Sequence, residues 1–510
     1  MAYESLREFL EELEAEKELV RVRVEVDPIL EISEITDRIC KAGGPALFFE
    51  RVRGSSFPVV INMFGSEKRM AKALGVKRLE ELGDKIAALI KPQIPHTFLG
   101  KIHKALEVLP QLRALPPKLV RSGPCQEVVK TGTQVNLYEL PVLQCWPKDA
   151  GRFITFGQVY TRNPETGERN VGLYRLQLLA PNKTAMHWHL HHDGCQHYHM
   201  YKRLGKQMPV AVALGGDPVY TYMATAPLPP NTDECLLGGF LRGQPVELVP
   251  CKTIEMEVPA SAEIVLEGYI DPNEPLVTEG PFGDHTGFYS LADQFPVFHV
   301  TAITHRANAI YPTTIVGKPP MEDCYLGKAT ERLFLPLVKL FIPEVVDYDL
   351  PWFGVFHNFC FVSIRKRWPQ QARKVMSAIW SLGQLMFSKI IVVVDEDVNV
   401  HNYDEVWFHV GANVHPGRDV VFCEGPTDIL DHAAPVCGVG HKMGIDATRK
   451  FPEEGHPRPW PDEILMDPDT VAKVTARWSE YGLGPDPGPV GKGLGLHLRR
   501  VLHTAFAMRS

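Results

Sequence analysis

The sequence predicts an α/β region, then a β region, then a second α/β region. Three features carry this reading. Residues 18–63 alternate short apolar runs with one helical segment. From Val128 to about 310, β-branched runs follow one another between turn residues. Beyond "TTIVGKPP" helical periodicity returns around one buried aliphatic run, Ile390–Val394. The expected divisions are 1–120, an N-terminal α/β region; 121–320, a β domain; 321–481, a C-terminal α/β domain; and 482–510, a Gly/Pro linker and terminal helix.

In chain order, Leu6, Phe9, Leu10 and Leu13 fall at helical spacing, so the chain opens on an amphipathic helix. "PALFFE" and "FPVVINMFG" read as buried strands, and helical, Pro-rich material follows to about 120. "RFITFGQVYTR", "NVGLYRLQLLA", "MPVAVALGG", "SAEIVLEGYI" and "FPVFHVTAITHR" are strands of a barrel or a sandwich; their spacing fits both. "ATERLFLPLVKLF" and "QQARKVMSAIWSLGQLMF" have helical period, and "SKIIVVVDEDVNV" reads as a central parallel strand ending in acids. The Gly/Pro run 482–495 leads into Leu494, Leu498, Leu502 and Phe506, an apolar stripe suited to docking on a neighbouring subunit.

Composition removes several classes of function. Lys plus Arg is 54 against 61 for Asp plus Glu, a net charge of −7 with no basic aromatic cluster, so no nucleic-acid partner is expected. No apolar run reaches the ~18 residues of a membrane span, and the acidic amphipathic start is not a secretory signal. A cytoplasmic protein is expected, with at most peripheral contact at the inner membrane face. Ten cysteines without a CxxC argue against a disulfide framework or a zinc ribbon and for buried free thiols.

Four stretches could carry chemistry. In "HWHLHHDGCQHYH", six of the 20 histidines lie within 13 residues. As a strand it would place His187, His189 and His191 on one face at ~7 Å steps, too wide for one ion's ligand shell. A polar strand face beside a cavity accounts for most of them, with one supplying a metal ligand or an anion contact. In "NVGLYRLQ", Asn170 and Arg175 are five apart and fall on opposite faces of a continuous strand, so convergence needs a bend near Gly172 or a ligand that wraps the strand. In "TDECLLGGFLRG", Glu234 precedes a short helical run, where it is either a ligand or a carboxylate at a helix N-terminus. "EGPFGDHTGF" carries Glu279 and Asp284 among glycines, as a surface turn or as a loop presenting acids to a dry cavity.

The order of these motifs, together with "DPILEISEITDRICKAGGPALFFE", "CWPKDAGRFITFGQVYTR", "EVPASAEIVLEGYI", "IPEVVDYDLP", "VDEDVNV" and "GHKMGIDAT", resembles the UbiD family of prenylated-flavin-dependent decarboxylases over about residues 5–480. Within it the chain is most similar to the quinone-pathway branch acting on 4-hydroxy-3-polyprenylbenzoate. The resemblance implies a central flavin-binding split β-barrel and a C-terminal α/β oligomerisation domain that builds a homo-oligomer, dimer or hexamer. It implies prenylated FMN supplied by a flavin prenyltransferase, Mn2+ or another divalent ion held by Asn170, His191 and Glu234, and K+ as an optional second ion. Leu173, Tyr174, Arg175, His187, Trp188, His189, His192 and Asp193 fall in segments that contact the cofactor, and Lys389 resembles a phosphate-facing lysine whose plain alternative is an exposed strand-start residue.

Arg175, Glu279 and Asp284 match the family's catalytic Arg–acid–acid set. Arg175 can bind a carboxylate bidentately. Two acids close together in a partly dry site do not both ionise cheaply, so one is expected to stay protonated and to deliver its proton to the carbon that loses CO2. Glu279 is favoured as the donor, with Asp284 as its proton partner. The implied activity is reversible, non-oxidative decarboxylation of a hydroxy-aromatic acid. A naphthoate-type menaquinone precursor or a free phenolic acid is the alternative, because "HWHLHHDG" stands where the quinone branch reads like "RWLSHRGG". Two other classes, a His-rich metal-dependent hydrolase and a non-catalytic binding protein, leave the Arg–acid–acid set without a purpose.

Overall fold

A computed structural model describes residues 2–90, 112–188, 192–486 and 488. The expected terminal helix and its stripe lie outside them, as do His189 and His191. The described chain divides into two compact units at Leu333/Phe334.

In the first unit, the opening helix Leu6–Ala15 buries the four predicted residues Leu6, Phe9, Leu10 and Leu13, and Ser5 caps its N-terminus. Strands Leu19–Val26 and Ala46–Val52 pair in parallel across the helix Glu31–Lys41, as a βαβ crossover requires. Val59–Ile61 and Tyr311–Pro312 complete this four-stranded sheet.

The β-rich middle is one nine-stranded, curled half-barrel sheet whose pairings are all antiparallel. Its centre is Met208–Leu214, Ile264–Ile270 and Val297–His305, long apolar runs paired antiparallel with one irregularity at Glu267/Gly268. A single sheet that curls on itself removes the sandwich alternative. Two predicted strands are broken. "RFITFGQVYTR" splits into Phe153–Ile154 and Gln158–Arg162, and "NVGLYRLQLLA" into Arg169–Leu173 and Leu176–Ala180. A two-stranded ribbon, Val277–Glu279 with Asp293–Phe295, carries the acid loop.

The second unit holds a five-stranded sheet. Phe359–Ile364, Ile390–Asp395 and Val439–Asp446 are parallel, with antiparallel edges Val345–Asp349 and Val420–Pro426. Ile391 and Val393 pack with the helix Gln371–Ile379, while Val392 and Val394 pack on the other side with Val406 of the helix Tyr403–Asn413. Burial on both faces explains why "IIVVV" reads as an unbroken aliphatic run. Seven of the ten cysteines are buried and none is disulfide-bonded. Among the described residues no helix is long and apolar enough to cross a membrane.

Candidate active site

The site is organised by a corner. Between strands Arg169–Leu173 and Leu176–Ala180 the chain turns at Tyr174 and Arg175, near Gly172. Gly172 serves the corner differently. The Tyr174 ring folds back over it, and a Cβ there would lie 2.4 Å from Tyr174 Cε2. The turn sends Tyr174 toward one cluster and Arg175 toward another, which resolves the opposite-face problem for Asn170 and Arg175.

The Tyr174 cluster holds Asn170 and Glu234, two of the three expected metal ligands, with Trp188 and His192 of the expected cofactor contacts. Asp233 caps the helix Glu234–Arg242 and pairs with Arg169 at 2.8 Å, which places Glu234 at the first helical position. Glu234 is buried, and its Oε2 accepts from Val171 N at 2.7 Å, beside Asn170. Burial pushes its carboxyl up to about 8, and no cationic side chain bonds it among the described residues. A buried acid without a counter-charge, next to an amide and a phenol, fits a hard divalent ion. Tyr174 packs edge-on against Trp188 at 5.2 Å and against His192 at 5.7 Å. A Cβ on Gly194 would lie 2.8 Å from the Trp188 ring and 3.1 Å from Tyr174 Oη, so only glycine lets the helix Asp193–Leu204 start here. Trp188 is buried and its indole Nε1 has no hydrogen-bond partner among the described residues, so it is available to a ligand acceptor.

The histidine-rich stretch is therefore not one strand. Strand Lys183–Met186 ends before His187, and a helix begins at Asp193. Its histidines separate into different roles: His187 faces Glu279, while His197 bonds Thr161 Oγ1 at 3.0 Å. Leu173 N donates to Ala224 O, and its side chain packs on the buried core. Lys389 belongs to the second unit, where it starts the strand Ile390–Asp395 and its Nζ donates to Asp431 Oδ1 at 2.9 Å.

The Arg175 cluster brings the three catalytic candidates together. Arg175 Nε and NH2 donate to Glu279 Oε1 and Oε2 at 2.7 and 3.0 Å, and NH1 donates to Asp284 Oδ2. NH2 also reaches Ser290 Oγ at 3.1 Å, and the guanidinium lies 4.7 Å from the Phe282 ring centre. Glu279 is 0% exposed, and His187 Nδ1 meets its Oε2 at 3.0 Å. The fork of Arg175, expected to take a substrate carboxylate, holds Glu279 in this arrangement. Both carboxyls are also shifted down here, away from the protonated form. Burial raises each of them, but His187 and Arg175 outweigh it and hold Glu279 at about 2, while Arg175 and His285 hold Asp284 well below the usual carboxylate range. One guanidinium between two carboxylates supplies the counter-charge that proximity alone lacked. His187, in contrast, is pushed down by burial and favours the neutral form.

Residues 10–86, 118–319 and 324–447 match, in order, the N-terminal, Rift-related and C-terminal domains of UbiD, described as 3-octaprenyl-4-hydroxybenzoate carboxy-lyase. The chain belongs to the UbiD family. An uncharacterized protein of Aquifex aeolicus is 54% identical over 486 residues, 94% of this chain and 99% of that one. The closed form of the Sedimentibacter hydroxybenzoicus vanillic acid decarboxylase superposes with a TM-score of 0.84 at 30% identity, over 95% of this chain and all of the other. An evolved dimeric form of the UbiD-class enzyme HmfF from Pelotomaculum thermopropionicum, in complex with prFMN, gives 0.74 at 30% identity, over 92% and 98%. The protein is a UbiD-family carboxy-lyase, a decarboxylase of aromatic acids.

The acid loop of this UbiD-family enzyme is clamped by residues that spacing does not reveal. Gly280 N donates to Gln177 Oε1, Phe282 N to Ser290 Oγ, Gly283 N to Asp149 Oδ1 at 2.8 Å, and Asp284 N to Phe288 O. Asp149 also accepts from Cys145 N and Trp146 N, and the Trp146 ring closes over Gly283, where a Cβ would come within 2.2 Å of it. "CWPKDAG" matched family text as a string, but nothing local to it signals a partner 134 residues away. Asp149→Ala leaves three donors unpaired, at about 1–3 kcal/mol each at most. We expect kcat to fall roughly 10- to 100-fold through a displaced acid loop, with Asp149→Asn intermediate, measured as kcat and KM on cofactor-loaded protein.

Proposed function

We propose that this enzyme decarboxylates a hydroxy-aromatic acid of the 4-hydroxy-3-polyprenylbenzoate type in quinone biosynthesis, with prenylated FMN and a divalent ion, Mn2+ first among them, and K+ as an optional second ion. The observation that carries the reading is the corner at Tyr174–Arg175, which joins the Arg175–Glu279–Asp284 set to the Asn170–Glu234 pair. Asn170 and Glu234 are the donors for the ion, with His191 as the third ligand from the family resemblance. Tyr174, Trp188, His192 and Asp193 would border the flavin. When bound, the prenylated flavin supplies the electron sink for the ring carbon that loses CO2.

The chain's own residues do the rest. A substrate carboxylate arriving beside Glu279 adds negative charge, raises that acid and favours its protonation. Arg175 keeps both acids oriented. Glu279 then gives its proton to the carbon from which CO2 has left, and Asp284 exchanges protons with it. A free phenolic acid is the second reading, supported by the similarity to a vanillic acid decarboxylase. A homo-oligomer is in keeping with the dimeric form of HmfF, and a flavin prenyltransferase is the supplying partner.

The test is production together with a flavin prenyltransferase, followed by a panel of 4-hydroxy-3-prenylbenzoate, 1,4-dihydroxy-2-naphthoate, 4-hydroxybenzoate and vanillate, with CO2 release measured. We expect flavin absorbance and turnover, fastest on the prenylated acid. Protein that carries zinc and no flavin would overturn the proposal. Glu234→Ala and Asn170→Ala should each lose bound metal by elemental analysis and cofactor absorbance by at least about 10-fold.

A further inference from the structure

A carboxamide binds a cation through its oxygen and not through its NH2, so Asn170 can ligate an ion in only one of its two flipped orientations. What fixes the flip lies across the sheet. Thr161 is the partner of Asn170 in the antiparallel pairing of Gln158–Arg162 with Arg169–Leu173, so the two side chains stand on one face. Asn170 Nδ2 donates to Thr161 Oγ1 at 3.4 Å. Thr161 is 0% exposed, and among the described residues the other side chain at its hydroxyl is His197, whose Nδ1 lies at 3.0 Å. His197 comes from the helix Asp193–Leu204 and is 4% exposed.

The hydrogens decide the direction of these bonds. A hydroxyl carries one hydrogen and can accept others. Thr161 Oγ1 accepts from Asn170 Nδ2, so its own hydrogen has His197 Nδ1 as acceptor. The ring accepts there only as neutral imidazole with its proton on Nε2, and burial pushes His197 down toward the neutral form. A threonine whose hydrogen is committed to His197 can only accept from Asn170, which keeps the amide nitrogen at Thr161 and leaves Oδ1 for an ion. The amide also donates to the Tyr174 phenol, since that contact favours the phenolate. A phenol can donate as well as accept, so Tyr174 does not set the flip by itself.

We propose that His197 and Thr161 orient Asn170 as a metal ligand: Thr161 Oγ1–H donates to His197 Nδ1, Asn170 Nδ2–H donates to Thr161 Oγ1, and Asn170 Oδ1 is presented to the divalent ion. This inference rests on the metal reading above. Neither residue touches the ion; both are positioning residues. The helix that carries His197 follows His191 in sequence, so the same bond ties that helix to the strand of Asn170. One histidine of the run "HWHLHHDGCQHYH" thereby acts on the ion without ligating it.

The test is Mn2+ binding to chelator-stripped protein produced together with a flavin prenyltransferase, followed through the electron paramagnetic resonance signal of free Mn2+. Thr161→Val keeps the shape and removes the hydroxyl, and His197→Phe keeps a ring and removes the acceptor. Each should raise the Kd for Mn2+ roughly 10- to 100-fold, with the melting temperature close to that of the wild type. Thr161→Ser keeps the hydroxyl, and His197→Asn can set its Oδ1 where Nδ1 stood; both should stay within about threefold of the wild type. A second background separates orientation from mere packing. An aspartate at 170 offers an oxygen in either orientation, so in Asn170→Asp protein the added Thr161→Val should change the Kd by less than about threefold. An equal Thr161→Val effect in both backgrounds overturns the proposal, and so does wild-type affinity in Thr161→Val or His197→Phe; the metal reading survives these results. A wild type whose Mn2+ binding is unchanged by Asn170→Ala overturns the metal reading, and the orienting role with it.

Discussion

Glu279→Gln will retain flavin and metal and lose turnover by about 10^3-fold, within the 10²–10⁴ range of a positioned general acid. The substitution keeps the shape of the side chain. Its amide oxygen still accepts one bond from Arg175, and its NH2 replaces an acceptor that faced Arg175 NH2 or His187 Nδ1. The fold tolerates this, because Asp284 still neutralises the guanidinium. On the roles proposed above, what is lost is the group that hands a proton to carbon. Loading and chemistry therefore separate: absorbance at wild-type level, bound metal at wild-type level, and kcat near background. Glu234→Ala should fail in the opposite order, with absorbance and metal gone before turnover can be asked about. If Glu279→Gln is fully active, the final donor is Asp284 or a water, and Glu279 serves to orient Arg175.

The fold was readable in the sequence where burial is simple. Leu6, Phe9, Leu10 and Leu13 announce a helix with one face inward, and Ile390–Val394 announces a strand covered on both sides. The site was readable only in part. Arg175, Glu279 and Asp284 meet across 104 and 109 residues, a convergence that no local pattern encodes and that only resemblance brought forward. The corner falls at Tyr174–Arg175, near Gly172, where the glycine makes room for the Tyr174 ring rather than making the bend itself. The histidine run misled because alternation at 187, 189 and 191 imitates a strand, while the chain leaves the sheet at Met186 and turns into a helix at Asp193. The charge balance of the two acids is not legible locally, for a third reason. Proximity of two acids sets the cost, but the sign is decided by the guanidinium between them, whose position depends on that same corner.

Arg175→Leu will therefore do more than abolish activity; it will reverse how the protein's stability depends on pH. In the wild type, Glu279 is held at about 2 against an ordinary 4.5, and Asp284 is shifted in the same direction. Groups whose pKa is depressed on folding contribute stability that is complete above their unfolded values and is lost as pH falls through the folded ones. Between pH 5 and 8 the pair's contribution is thus flat, and for Glu279 alone it amounts to about 3 kcal/mol. Removing the guanidinium leaves two buried carboxylates with no shared cation, so both pKa values rise above those of the unfolded chain. The sign then inverts: the variant is most stable below about pH 4–5 and loses stability as pH climbs and protons must be given up. At neutral pH the loss should reach about 3–5 kcal/mol, the usual consequence of deleting one partner of a buried ion pair. Thermal melts at pH 5, 6, 7 and 8 on cofactor-free protein measure this directly. The wild type should change little across the series beyond its other titrating groups, while the variant's melting temperature should fall steadily with rising pH. Equal slopes for the two proteins would mean that Arg175 is not what keeps Glu279 and Asp284 ionised. The double variant Arg175→Leu/Glu279→Gln supplies the internal check: with one of the two acids made neutral, most of the added slope should disappear and part of the stability should return.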